Sequence, residues 1–469
     1  MKIARSANGS IAARLVLVAA IASLTAAVLA LAASGAAHRS AARGGFVVPA
    51  VGVHPEYLRA GTVPATRPPR GTVLFSCQDN SASNPPESVL CYGPDQIRAA
   101  YGVRQLLNRG IDGSGKTIVI IDAFGSPTLA QDLQTFDGAW GLADPKLNIV
   151  APDGVKGSDF GWALETSLDV EWAHVIAPAA AITLVVAKTN DDADILRATK
   201  YAIDHNLGDV ISQSFGENEA CVAPQILRQQ HDLFDKAVSK GITLFASSGD
   251  SGAAELTCDE SKFVQAVSSP ASDPDVTAVG GTELRADAVR GTYRSETTWN
   301  ESKDFESLGF GPVATGGGFS ELYKRPDYQN GVVGQNHRGV PDVAYNAAIN
   351  GGVLVFITDP ADPTLVDVFI VGGTSAGSPQ WAGLTVLADE LAKTRLGNIN
   401  DVIYKLGTGG SSSRLFHDIT SGNNSIPRLK GFPGTPVPGF EANNLWDPAT
   451  GVGSPQADNL VPALAARGQ

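Results

Sequence analysis

Charge is in short supply in this chain, basic charge most of all. Only 18% of residues are charged, and 48 acids against 35 bases leave a net −13 at pH 7. Without a surplus of Lys and Arg there is no basic face to neutralise phosphates, which excludes nucleic acid as a partner. Cysteines number only four, Cys77, Cys91, Cys221 and Cys258, and no C-x-x-C pair occurs, which argues against a zinc site. No second apolar run matches the length of the first, at the N-terminus, so nothing later in the chain offers a membrane span.

What is there points to an exported α/β protein. Apolar residues make up 43%, enough for a large core, and 51 Gly suggest many turns. Lys2, Arg5 and Arg14 precede an apolar run from Leu15 to Ala33, which ends among small residues. That order reads as a signal peptide over 1–36, with an uncleaved anchor as the alternative. Residues 37–90, with Arg-Pro-Pro-Arg at 67–70, read as a linker or short pro-segment. An even cysteine count in an exported chain suggests disulfides, and the most local of three pairings is Cys77–Cys91 with Cys221–Cys258.

From Tyr92 strands and helices alternate. Helices are expected at Gln96–Leu107, Leu164–Ile176, Asp194–His205, Leu227–Lys240 and Ala376–Thr394. Strands are expected at Thr117–Asp122, Ala181–Ala187, Val210–Ser214 and Thr243–Ser247. The alternation predicts an α/β fold: a mostly parallel sheet with helices on both faces, in one large domain over 91–469. Residues 285–340 are rich in Gly, Asn and Ser and read as surface loops with short strands.

Three motifs compete to name the chemistry. Gly110 to Thr117 fits the phosphate-loop pattern, but that loop must follow a strand and open a helix. Here a helix comes before it and a strand after it, so it reads as a turn and no nucleotide is expected. Gly249-Asp250-Ser251-Gly252 echoes the nucleophile segment of an all-β protease fold, which the α/β pattern does not support. Gly373-Thr374-Ser375 follows an apolar stretch and opens a long helix, with Pro379 in its first turn. A serine there faces backbone N–H groups and a helix dipole that favour a developing oxyanion. A plain helix cap explains Ser375 equally well at this point.

A serine nucleophile needs a base. None of the seven histidines stands in a His-Gly-Thr context. Glu165 and Asp169, four residues apart, share a helix face beside the apolar stripe Leu164, Leu168 and Trp172. Buried together they would share a proton; exposed, they are only a solvated face.

Taken in order, these pieces resemble the sedolisin family of serine-carboxyl peptidases, of the kumamolisin type. The likeness runs over about 92–466. It rests on Tyr92-Gly-Pro-x-Gln96, Glu165-x-x-x-Asp169, Ser212-x-Ser214-x-Gly216, Ser248-Gly-Asp250-Ser-Gly, Gly316-Gly-Gly-Phe-Ser320, Arg338-x-x-Pro341-Asp342 and Gly373-Thr-Ser375. The resemblance implies a subtilisin-like fold, Ser375 as nucleophile, Glu165 as general base, Asp169 orienting it and a protonated Asp250 stabilising the oxyanion. It also implies one structural Ca²⁺, held by the carboxylates of Asp418 and Asp447 and the carbonyls of Ile419, Asn443 and Leu445. The family usually has Gly where Leu445 stands, and often where Asn443 stands. Its large N-terminal pro-domain has no counterpart in residues 37–90. The expected function is a secreted, acid-active, monomeric peptidase acting on proteins or peptides. A non-catalytic binding protein on the same scaffold, and a histidine-based enzyme using Asp122, are the alternatives.

Overall fold

The computed structural model describes residues 48–49, 57–62, 74–78, 89–287, 289–359 and 362–466. The expected signal segment and most of the expected linker, with His38 and His54, lie outside them. Among the described residues no helix is long and apolar enough to cross a membrane.

The centre is an eight-stranded sheet. From one edge its strands run Tyr293–Thr298, Thr277–Ala286, Thr243–Ser247, Val210–Gln213, Thr117–Ala123, Ala181–Ala187 and Leu147–Val150, and Val343–Asn346 pairs with Thr277–Ala286 off this path. All pairings are parallel except the one made by Tyr293–Thr298. This is the expected α/β arrangement.

Alternation along the strands builds two cores. Ile118 and Ile120 point into one with the helices Phe160–Ile176 and Gly377–Ala392. Val119 and Ile121 point into the other with Asp192–Asp204 and Pro224–Ser239. Successive strand side chains face opposite sides, so one apolar run feeds both layers. The helix Phe160–Ile176 is buried all round from Trp162 onward, as a helix covered on every side must be. Its start is capped by Asp159, which accepts from Trp162 N at 3.0 Å.

Several expectations need correction. The helix expected over Gln96–Leu107 is two, Pro94–Ala100 and Val103–Leu107, because Gly102 between them takes a left-handed φ of 78°. Residues 285–340 are not mainly surface: Glu296, Trp299, Ser302, Thr315 and Arg338 are buried there. Arg338 forms a buried pair with Asp342. Within the expected linker, Tyr57–Thr62 is a strand paired with Asp362–Val371. Both disulfides join the most local partners, Cys77–Cys91 and Cys221–Cys258. The phosphate-loop look-alike is a turn whose Asp112 and Gly113 N–H groups donate to Glu390, at 2.9 and 2.7 Å.

Candidate active site

The parallel strands deliver polar residues at their carboxyl ends, where open α/β sheets gather their sites. Asp122 ends the strand Thr117–Ala123, and alternation turns it toward the helix Phe160–Ile176. Ser212 and Ser214 turn to the same layer. Ser212 Oγ lies 2.8 Å from Ser378 Oγ, and Ser214 Oγ donates to the Ser375 carbonyl at 3.4 Å. Asp250 follows the strand Thr243–Ser247.

Ser375 sits in the 3₁₀ turn Thr374–Ala376, which leads directly into the helix Gly377–Ala392. Gly373 before it takes φ 115°, a conformation open to glycine. The serine is fully buried, and its Oγ donates to the Ser214 carbonyl at 3.5 Å. Thr374 bridges to the aspartate: its N–H and Oγ1 both donate to Asp250 Oδ1, at 2.8 and 2.7 Å.

Glu165 and Asp169 are both fully buried, which excludes the solvated-face reading. Burial pushes Glu165 well above the ordinary carboxyl range, and the like charges of Asp169 and Asp122 push it further. The hydroxyl of Ser375 opposes that rise, since a hydrogen bond to the ionised form favours it. Asp122 is raised by burial and by Asp169, and Asp169 by burial. The oxygens of the three carboxyls make no hydrogen bond of regular geometry. Catalytic hydrogen bonds often tighten only once substrate is bound. The three form one coupled group, which sheds protons in macroscopic steps.

In the sequence Asp122 stands out only as a possible partner for a histidine. Its place among the carboxyls was signalled by an acid closing the run Thr-Ile-Val-Ile-Ile. The five described histidines are engaged elsewhere or exposed. His174 pairs with Asp137, His231 with Asp273, His205 with the Tyr201 carbonyl, and His417 stacks on Tyr293; His337 is exposed.

Near the C-terminus the expected calcium residues converge. Leu445 N donates to both oxygens of Asp418 at 3.1 Å, and Asn443 N donates to Asp447 Oδ2 at 3.2 Å. Ile419, beside Asp418, is buried. A separate group that sequence reading missed, His231 with Asp273 and Asp275, has metal-ligand spacing. It is tied together internally: the bond to Asp273 pushes His231 up to about 9.

Residues 163–398 match the Peptidase_S8 profile, described as the Subtilase family. Kumamolisin of Bacillus sp. (strain MN-32) is 33% identical over 388 residues, covering 80% of this chain and 63% of that protein. Sedolisin of Pseudomonas sp. (strain 101) is 31% identical over 352 residues, covering 72% and 56%. The chain thus spans less than two thirds of the length of these curated relatives. A solved structure of Pseudomonas sedolisin, a serine-carboxyl proteinase complexed with two molecules of pseudo-iodotyrostatin, overlays with a TM-score of 0.69 at 29% identity. The overlay covers 81% of this chain and 100% of that one. The fold is therefore subtilisin-like, and the chain belongs to the Subtilase family, on the side of its sedolisin and kumamolisin relatives.

Proposed function

We propose that the chain is an exported serine-carboxyl peptidase that hydrolyses peptide bonds through an acyl-enzyme on Ser375. The observation that carries this is the company Ser375 keeps: its hydroxyl acts on a buried glutamate, Glu165, which is coupled to further acids and not to a histidine. In this mechanism Ser375 Oγ attacks the peptide carbonyl carbon and Glu165 takes its proton. Asp169 fixes the orientation of Glu165. Charge develops on the carbonyl oxygen, and protonated Asp250 donates to it. Asp250 Oδ1 already accepts both Thr374 donors, so that proton belongs on Oδ2. The intermediate then expels the amine, which leaves with the proton from Glu165. Water, deprotonated by Glu165, frees the acid and restores Ser375.

A peptide substrate has an edge to lie on. The strand Phe215–Asn218 pairs on one side with Ser268–Ser269 and on the other, antiparallel, with Val48–Pro49. Val48–Pro49 also contacts the helix Phe160–Ile176. This supports reading residues 37–90 as a pro-segment, with Val48–Pro49 lying where an extended substrate would add a strand. The two disulfides fit an oxidising compartment, in keeping with export directed by residues 1–36.

One Ca²⁺ belongs to the same proposal. The segment 443–447 folds against the carboxylates of both Asp418 and Asp447. Leu445 holds φ 67°, the left-handed conformation a glycine would adopt freely, so the backbone path survives the change of side chain. Oxygen donors alone suit this ion. Bound there, it would tie the Asp418 loop to the Asn443–Asp447 loop.

The test is hydrolysis of denatured protein between about pH 3 and 6, a range set by carboxyl catalysis. Ser375→Ala and Glu165→Gln are each expected to lower kcat by about a thousandfold or more. Full activity in either variant, or an optimum at pH 8, would sink the carboxylate-base mechanism.

A further inference from the structure

The strand that lies beside Ser375 has a second face. Ser212 and Ser214 look toward the nucleophile helix, whereas Gln213, Phe215 and Glu217 line a pocket on the opposite side. The alternation follows from the two-residue period of extended chain. The pocket is a groove open to solvent. Its apolar lining is Ile195 and Leu196 from one helix, Ile226 and Phe234 from the other, and Phe215, with Thr199, Gln230 and Ser269 among them. Its polar end is a pair of acids, Asp192 and Glu217.

Among the described residues that pair meets no cation. Asp192 and Glu217 bond to each other, and the other charged groups that act on them are Asp191 and Glu255, also acids. Glu217 Oε1 is buried with no hydrogen-bond donor. Burial raises both carboxyls, so they hold a shared proton in place of a partner.

The register of the neighbouring strand says which part of a peptide reaches this pocket. Val48 lies opposite Gly216, and Pro49 opposite Phe215. In an antiparallel pair, residues directly opposite project from the same face. A peptide residue opposite Phe215 or Glu217 therefore turns to the pocket side. Such a peptide runs from the Glu217 end toward Ser214 and Ser375. Glu217 is three residues beyond Ser214, or about 10 Å along the strand.

We propose that this pocket is a substrate subsite for an arginine or lysine side chain, three or four residues to the amino side of the bond that is cut. The inference rests on the peptidase reading above. The stem of the side chain packs along Ile195, Leu196 and Phe215, and its charged head meets the two carboxyls. Arginine suits the place better, since its planar fork can engage both acids at once. The protons that the pair holds leave to solvent as the cation enters.

The test uses the full-length protein and internally quenched peptides that differ only by Arg, Ala or Glu at that position. The Arg peptide is expected to exceed the Glu peptide in kcat/KM by about tenfold or more. Glu217→Gln and Asp192→Asn, tested separately, should each bring the ratio of Arg to Ala peptide toward one. An unchanged ratio in both variants, or no Arg preference in the wild type, overturns the subsite. Cleavage of the Ala peptide without such a preference removes the subsite and leaves the peptidase reading standing. Should no peptide be cut, the peptidase reading fails on its own account. Fluorescence anisotropy of the same peptides on Ser375→Ala protein then decides the pocket: tighter Arg binding supports it, and equal Kd values for Arg and Glu reject it.

Discussion

Glu165 carries the sharpest departure from sequence expectation at the scale of single residues. A carboxylate base was expected to work in acid because a free glutamate titrates near 4.3. In the folded protein, burial, Asp169 and Asp122 all raise it. The base form is then populated only at higher pH, so the acid limb of the rate profile should lie above the ordinary glutamate range. Asp122→Asn removes one of the like charges. The apparent pKa of that limb in kcat/KM should fall, by about half a unit or more if the Asp122 charge counts for at least 0.7 kcal/mol. A profile that stays put, measured from pH 3 to 8, would separate Asp122 from the catalytic group. The two acids of the helix were legible because spacing by four is a property of sequence. Asp122 was not: its approach to Asp169 depends on a strand and a helix far apart in the chain. The pair Asp192 and Glu217 was missed for the same reason.

Elements were legible where one period held for a whole segment. The strand Thr117–Ala123 and the helix Phe160–Ile176 are buried along almost their whole length, and the sequence places them within a few residues of their ends. Gly102 broke a helix that periodicity ran straight through, because its left-handed φ packs the turn against Asp458: a Cβ there would meet Asp458 Oδ1 at 2.7 Å. The stretch 285–340 reads as surface in the sequence because its residues are largely polar. Its polar groups are buried with partners, as Glu296 is with Tyr101, Thr282 and Ser454. The loops proposed to hold calcium belong to this scale as well, since two short segments must meet to form such a site. Calcium in excess of its Kd should stabilise the protein, by about 2.7 kcal/mol at a hundredfold excess. EGTA should therefore lower the Tm of the wild type and leave Asp418→Asn nearly unmoved. A wild-type Tm indifferent to both calcium and EGTA would remove the site.

Across the whole molecule the recurrent feature is the buried acid. Burial pushes both Glu301 and Asp389 up to about 7, and it raises Glu171 and Glu296 as well. In the unfolded chain such groups titrate near 4. Between about pH 4 and 7 the folded state therefore binds more protons than the unfolded state. Stability is then fully present below about pH 4 and is lost as pH rises toward 7. His231, held up at about 9 by Asp273, adds in the same direction, with a contribution lost between about 6.5 and 9. Surface carboxyls held low, such as Asp204 and Asp259 at about 2, act the other way, but they are exposed and screened. The buried groups win because water does not dilute their interactions. Each pH unit across the window is worth up to about 1.36 kcal/mol per titrating group, and 1 kcal/mol moves the Tm of a larger domain by about 2–4 °C. Calorimetry should therefore find the Tm higher at pH 4.5 than at pH 8, by about 5 °C or more. Glu301→Gln and Asp389→Asn together should flatten that slope, because a neutral amide carries the same bulk without a proton to lose. A Tm that rises from pH 4.5 to pH 8 would mean that these acids are ionised in the folded protein.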